Sequence, residues 1–223
     1  MPKGKTPSQF KDVDANHTGY FSKLSSVLFS PAKFFKQIKA QQGLWQPFKF
    51  LLITYLIFSG LFSLFLVLAL TVFISLLYNS FPILEFFLGM IPFYQILLSI
   101  LVFVIIFLVL SLLMSFVGAG ILHLFVRLFR GKGNYLQTYK AGSYASAVML
   151  FVIVNILLYL LPVVGSALYY LASLVILVWQ IIIMIQGLSL FHEMSKVKAF
   201  FAWLFVFFFY LFCYFFLHYL KGL

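Results

Sequence analysis

Residues 141–191 read AGSYASAVMLFVIVNILLYLLPVVGSALYYLASLVILVWQIIIMIQGLSLF, a run without Asp, Glu, Lys, Arg or His, broken at its middle by Leu161-Pro162-Val163-Val164-Gly165. A helix needs about 20 apolar residues to cross the hydrocarbon of a bilayer. The run is long enough for two crossings, and its proline and glycine supply a turn between them. Lipid offers no hydrogen bonds, so a spanning segment has to satisfy its backbone internally, as a helix does. This stretch reads as a helical hairpin in a membrane.

The pattern extends both ways. Upstream, no charged side chain follows Lys49 until Glu85, and no Lys or Arg until Arg127; downstream, residues 199–220 carry no Asp, Glu, Lys or Arg. Pro47 precedes the first apolar segment, Pro82 and Pro92 follow it, and none of the three falls within a span. The boundaries predict five spans, at Phe48–Leu77, Gln95–Phe125, Ala141–Leu161, Ser166–Leu188 and Ala199–Tyr219. The expected fold is all-α, a polytopic transmembrane helix bundle over 48–219. A composition of 65% apolar and 9% charged residues excludes a soluble globular domain. Gly142 with Ser146, and Ala141 with Ala145, give the small-residue spacing that lets helices approach closely, which places span three at the centre of the bundle.

The net charge of +11 could suggest nucleic acid. Its distribution excludes that partner, because the basic residues cluster beside the spans, where they orient a membrane protein. Eight precede or open the first span, four (Arg127, Arg130, Lys132, Lys140) lie between spans two and three, two (Lys196, Lys198) between spans four and five, and Lys221 stands alone at the carboxyl end. Alternating sides gives fourteen against one, which puts the amino terminus in the cytoplasm and the carboxyl terminus outside. Residues 1–23 read as a flexible basic cytoplasmic tail, and Met1–His17 lacks the apolar core of a secretory signal. Residues 79–94, apolar except for Glu85, are expected in the outer interfacial layer. Cys213, the only cysteine, lies in an apolar run and supports neither a disulfide framework nor a thiolate metal site.

Ahead of span one, residues 24–43 read as an amphipathic interfacial helix. Ser30-Pro31 suits a helix start and Gly43 a stop. Phe34, Phe35 and Ile38 share one face, with Lys33, Lys36 and Lys39 set apart from it. On this reading the six residues form a surface for the anionic inner leaflet, where each lysine contributes about 1 kcal/mol. The alternative is a cytoplasmic cap packed back on the bundle.

Several short stretches together resemble the Yip1 domain family of five-span membrane proteins. They are Ser30-Pro31-Ala32-Lys33-Phe34-Phe35, Gln42-Gly43-Leu44-Trp45-Gln46-Pro47, Gly118-Ala119-Gly120, His123, Arg127, Gly131-Lys132-Gly133-Asn134-Tyr135, Gln137-Thr138, Tyr144-Ala145-Ser146-Ala147, Gly187-Leu188, Phe191-His192, Lys196 and Lys198-Ala199. Each is unspecific alone; their order over residues 24–215 carries the resemblance. It implies a non-enzymatic bundle, and in eukaryotic members a link to vesicle traffic and to prenylated Rab GTPases. Those members carry a longer acidic amino-terminal region with an Asp-Leu-Tyr-Gly-Pro type motif. Here the first 23 residues have only Asp12 and Asp14 as acids, so Rab binding is not carried over. The chain is more similar to the prokaryotic branch, which implies the cytoplasmic membrane of a prokaryote. Val148 follows Tyr144-Ala145-Ser146-Ala147 where the family pattern suggests proline, so a straighter span three is expected.

Catalytic signals are sparse. There is no His-Glu-x-x-His metal motif, no phosphate-binding Gly-x-x-x-x-Gly-Lys-Ser/Thr loop and no cysteine cluster. His192-Glu193, and Ser143 or Ser146 with His123, lack the specificity to indicate an enzyme, and neither cofactor nor metal is expected. The candidate site is a cytoplasmic polar cluster of His123, Arg127, Ser143, Tyr144, Gln186, His192 and Glu193, with Glu193 pairing with Arg127 or Lys196. Within the bilayer Asn155 and Gln180 should face protein and bond across helices. The leading reading is an interaction or membrane-organising module with a cytoplasmic working surface, its partners anionic lipid, another membrane protein or a cytoplasmic protein, its oligomeric state open. The alternative is a channel or carrier for a small neutral or lipidic solute, which requires a polar-lined cavity near Asn155 and Gln180.

Overall fold

A computed structural model describes residues 19–80, 93–159 and 161–220. The tail over residues 1–18 and the apolar segment over 81–92, with Glu85, lie outside the described residues. All regular structure within them is helical. In chain order the elements are α1 (Tyr20–Phe29), α2 (Pro31–Ile38), α3 (Trp45–Ser80), α4 (Phe93–Leu128), α5 (Tyr135–Ala145), a 3-10 turn (Ser146–Met149), α6 (Leu150–Tyr159), α7 (Gly165–Phe191) and α8 (Lys196–Leu220). Five stretches are long and apolar enough to cross a membrane: Trp45–Phe73, Leu97–Leu128, Tyr135–Tyr159, Gly165–Phe191 and Lys196–Leu220. Span three thus comprises α5, the 3-10 turn and α6.

Span three begins at Tyr135, six residues before the expected Ala141. A capping box sets the start: the Asn134 side chain accepts from the Gln137 backbone N–H, and the Gln137 side chain accepts from the Asn134 backbone N–H. Lys140, expected in the loop, therefore lies in the span, where its ammonium donates to the Gln41 carbonyl. The α-helix is not continuous through Val148. Ser146 Oγ donates to the Ser143 carbonyl at 2.7 Å, and the chain tightens into the 3-10 turn there without a proline.

Span three is the buried centre: half of its most apolar stretch is covered by protein, against 11% or less for the other four. It packs on spans one, two and four. Span five, dense in Phe, presents most of its rings outward, as lipid-facing residues do. Arg127, Arg130, Lys132, Lys196 and Lys198 gather at the end of the bundle where spans two and four finish and spans three and five begin. We call this the basic end.

The segment before span one is two helices, not one over 24–43. The backbone breaks at Ser30 (φ −144°, ψ 53°), Pro31 opens α2, and α1 begins at Tyr20. Phe34, Phe35 and Ile38 do not face lipid; they are buried against the bundle, at 4%, 0% and 4% exposure. The Phe35 ring meets Phe191 edge-on at 5.5 Å, and Phe34 meets Tyr144 at 4.9 Å. Gly187 makes the groove: a Cβ there would stand 2.9 Å from Ala141 Cβ and 3.0 Å from Phe35 Cζ. Burying each phenylalanine contributes roughly 1.5–3 kcal/mol relative to exposing it to water. Amphipathic spacing fits a lipid surface and a protein groove equally, and here the groove takes the apolar face. Lys33, Lys36 and Lys39 remain exposed on the outer side. Trp179 Nε1 donates to the Leu28 carbonyl at 3.1 Å, fastening α1 to span four.

Candidate functional site

Two connections meet at the basic end, 129–134 between spans two and three and 192–195 between spans four and five. Each of spans two and four is followed by a non-glycine residue in the left-handed region, Arg130 (φ 62°) and Glu193 (φ 51°). The turns interlock through Lys132 N–H donating to the His192 carbonyl at 3.0 Å. Gly131 and Gly133 are required by space. A Cβ on Gly131 would stand 2.6 Å from Val126 Cγ1, and one on Gly133 would overlap Gln137 Oε1 and the His192 ring.

Within this junction the Thr138 hydroxyl lies 2.9 Å from His123 Nδ1 and 2.9 Å from His192 Nε2. Span two supplies His123, span three Thr138 and the end of span four His192. The two imidazole centroids are 5.8 Å apart. A hydroxyl has one proton to give, so it donates to one ring and accepts from the other, which fixes opposite protonation at the two facing nitrogens. If both rings were protonated, both would donate and the threonine proton would find no acceptor in either. Burial, followed by repulsion from the nearby His123 and Arg127, pushes the pKa of His192 down to about 4.

The structure brings together only part of the expected cluster. His123 and His192 meet, through a threonine that the sequence reading placed in a loop. The missed signal was Asn134-x-x-Gln137, whose capping box puts Thr138 on the first turn of span three. Arg127 lies on the same helix as His123 and donates to the Gly131 carbonyl at 3.4 Å. Glu193 pairs with neither Arg127 nor Lys196 but with Lys39 at 3.3 Å and Lys132 at 3.8 Å. Its left-handed backbone turns the carboxylate toward the amino-terminal helices, and the exposure of all three groups limits such pairs to about 1 kcal/mol or less. Tyr144 packs among Phe34, Phe35 and Phe50 beneath α2, away from the imidazoles. Gln186 is a partner of neither ring.

Asn155 Nδ2 donates to Ser173 Oγ at 2.6 Å, a bond between spans three and four. It borders an apolar groove between α6 and α7. Gln180 does not meet it. Gln180 instead borders a separate cavity of about 230 Å³, to which all five spans contribute and which also has Thr138, Tyr139 and Ser143 in its wall. Among the described residues no group of three or more His, Cys, Asp or Glu side chains could hold a metal ion.

Five apolar spans, the third buried among the others, with two short helices capping the basic end, define a polytopic helical membrane protein. The Yip1 domain matches residues 25–218, and the chain belongs to that family. No curated protein and no solved structure matches it.

Proposed function

We propose that this Yip1-domain protein is a non-enzymatic interaction module that organises the membrane at its basic, cytoplasmic end. The observation that carries this reading is the orientation of α2. Its apolar face is consumed by the bundle, so Lys33, Lys36 and Lys39 project outward from a rigid platform. Lys132, Lys196 and Lys198 are exposed at the same end. The lysines then act by charge alone, gathering anionic lipid headgroups at about 1 kcal/mol per charge near the surface. Fourteen of fifteen basic residues fall on this side of a five-span chain, which supports a cytoplasmic placement. The sequence resemblance to the prokaryotic branch supports the cytoplasmic membrane of a prokaryote as its location.

The test uses the full chain in nanodiscs of phosphatidylcholine with a minor fraction of phosphatidylglycerol, and counts the anionic lipid retained on partial delipidation. The expectation is enrichment in the wild type that falls several-fold in the Lys33→Glu/Lys36→Glu double variant and in high salt. Equal retention by both proteins would remove the lipid role and leave a protein partner as the use of this face.

A further inference from the structure

The amino-terminal helices do more than close the basic end; they reach down the side of the bundle. The Tyr20 hydroxyl lies 3.0 Å from Thr54 Oγ1, nine residues along span one from Trp45, or about 13 Å at the rise of an α-helix. The Leu28 carbonyl accepts from Trp179 Nε1, twelve residues before span four ends at Phe191, about 18 Å by the same measure. α1 also packs on the 3-10 turn, which occupies the middle of span three. From that depth α2 climbs back: Phe35 meets Gly187 and Phe191, and Lys39 reaches Glu193 past the end of span four. The chain returns to the basic end without crossing.

Local chemistry suits that depth. Lipid cannot satisfy a broken helix, and the bend at Ser30 is closed internally: Ser30 N–H donates to the Ser26 carbonyl at 2.9 Å, Phe34 N–H donates to the Ser30 carbonyl at 3.0 Å, and Pro31 has no N–H to place. Ser26 Oγ donates to the Ser22 carbonyl at 2.8 Å, the way hydroxyls are satisfied within a membrane helix. Lys23 is the only charged side chain of α1. Its ammonium donates to Gln46 Oε1 at 3.0 Å, at the mouth of span one, as a snorkelling lysine does. Val27 and Leu28 are buried in the bundle, whereas Phe21 and Phe29 stand 74% and 76% exposed. With Ser25 between them at helical spacing, the two rings form a single outward stripe.

We infer that α1 and α2 are a re-entrant wedge in the basic-side leaflet, with Phe21 and Phe29 seated among lipid acyl chains, and that the protein thereby favours membrane whose basic-side leaflet is convex or loosely packed. Acyl chains are the occupant because the stripe carries no charge and lies at the level of the spans' own lipid-facing residues. A helix of ten residues, about 15 Å long and about 10 Å across, adds area to one half of a bundle whose five spans pass through both. A leaflet with gaps between its headgroups accommodates that area most readily, which is why helices inserted in this way respond to curvature. The wedge acts through apolar area, so it goes beyond the charge-based surface proposed above and does not depend on it.

Depth is tested on the full chain carrying Cys213→Ser in phosphatidylcholine vesicles. A nitroxide is attached at Phe21→Cys, at Phe29→Cys or, as a reference in water, at Lys132→Cys, and its collisions with oxygen, which concentrates among acyl chains, are compared with those of a water-soluble nickel chelate. The first two sites should favour oxygen and the third nickel. Nickel favoured at both phenylalanine sites would place α1 in water, and protection from both reagents would mean that protein, such as a second copy, covers the stripe; either result overturns the inference. The membrane preference is read from the fraction of chains whose Lys132→Cys thiol is open to a membrane-impermeant reagent. The basic end should face outward roughly twofold more often in small vesicles, whose outer leaflet is convex, than in large ones. Phe21→Ser/Phe29→Ser should abolish that bias while keeping its parent's melting midpoint; should it fail to fold, Phe21→Gln/Phe29→Gln carries the same comparison. No bias, or one of equal size in the variant, would overturn the wedge. These vesicles hold no anionic lipid, so neither outcome touches the lysine surface.

Discussion

Gly187 and Phe35 are in direct contact across the groove that seats the amino-terminal helices, with room for no Cβ on the glycine: one placed there would stand 3.0 Å from the phenylalanine ring. The cap is therefore a property of span four as much as of α2. Gly187→Leu should unseat α2, at a cost of about 1–3 kcal/mol for overpacking. Hydrogen exchange over Pro31–Ile38 should accelerate in the variant while exchange in span three stays slow. Unchanged protection of α2 would mean the groove adapts and the glycine is dispensable.

Thr138 joins three spans through one hydroxyl. Thr138→Val keeps the shape but takes from His123 Nδ1 and His192 Nε2 their shared partner, which should lower stability by about 1–3 kcal/mol. Thr138→Ser should restore most of it. Thermal unfolding of the three proteins in one detergent decides the matter, and equal midpoints for valine and threonine would show that the imidazoles find other partners.

The depressed pKa of His192 sets a pH window with a definite sign. Folding favours the neutral ring, so between about pH 6.5 and pH 4 the unfolded chain binds the extra proton. Stability should be flat above the ordinary histidine value and fall as the pH drops from there through about 4. His192→Asn should flatten the part of the slope due to this ring. Denaturation midpoints compared between pH 4.5 and pH 7.5 supply the check, and a wild-type slope unaltered in the variant would assign the effect to other groups.

The charge asymmetry makes a topological prediction. A reporter fused after Leu223 should be extracytoplasmic, and one inserted at Gly131–Asn134 cytoplasmic. A carboxyl terminus labelled from the cytoplasm would contradict the orientation on which the proposed working surface depends.

Each span was legible because a bilayer imposes length and apolarity on every crossing, and the Pro162–Gly165 interruption needed no knowledge of neighbours. His123 and His192 were also visible as polar residues at span ends. Thr138 was not, because its place in span three is set by the Asn134–Gln137 cap and not by the apolar run that begins at Ala141. Glu193 found Lys39 and Lys132 rather than Arg127, a choice that depends on a left-handed backbone no charge pattern announces.

By itself, then, the sequence determined an all-α five-span bundle with a central small-residue helix, the family resemblance, and an amphipathic segment before the first span. Tertiary structure decided what that segment faces. The spacing of Phe34, Phe35 and Ile38 specifies one apolar side and says nothing of whether lipid or protein covers it; the groove over Gly187 and Ala141 settles the matter by fitting the ring. The cavity beside Tyr139 and Ser143 likewise exists only in three dimensions, since it is a gap left by how helices far apart in sequence pack together.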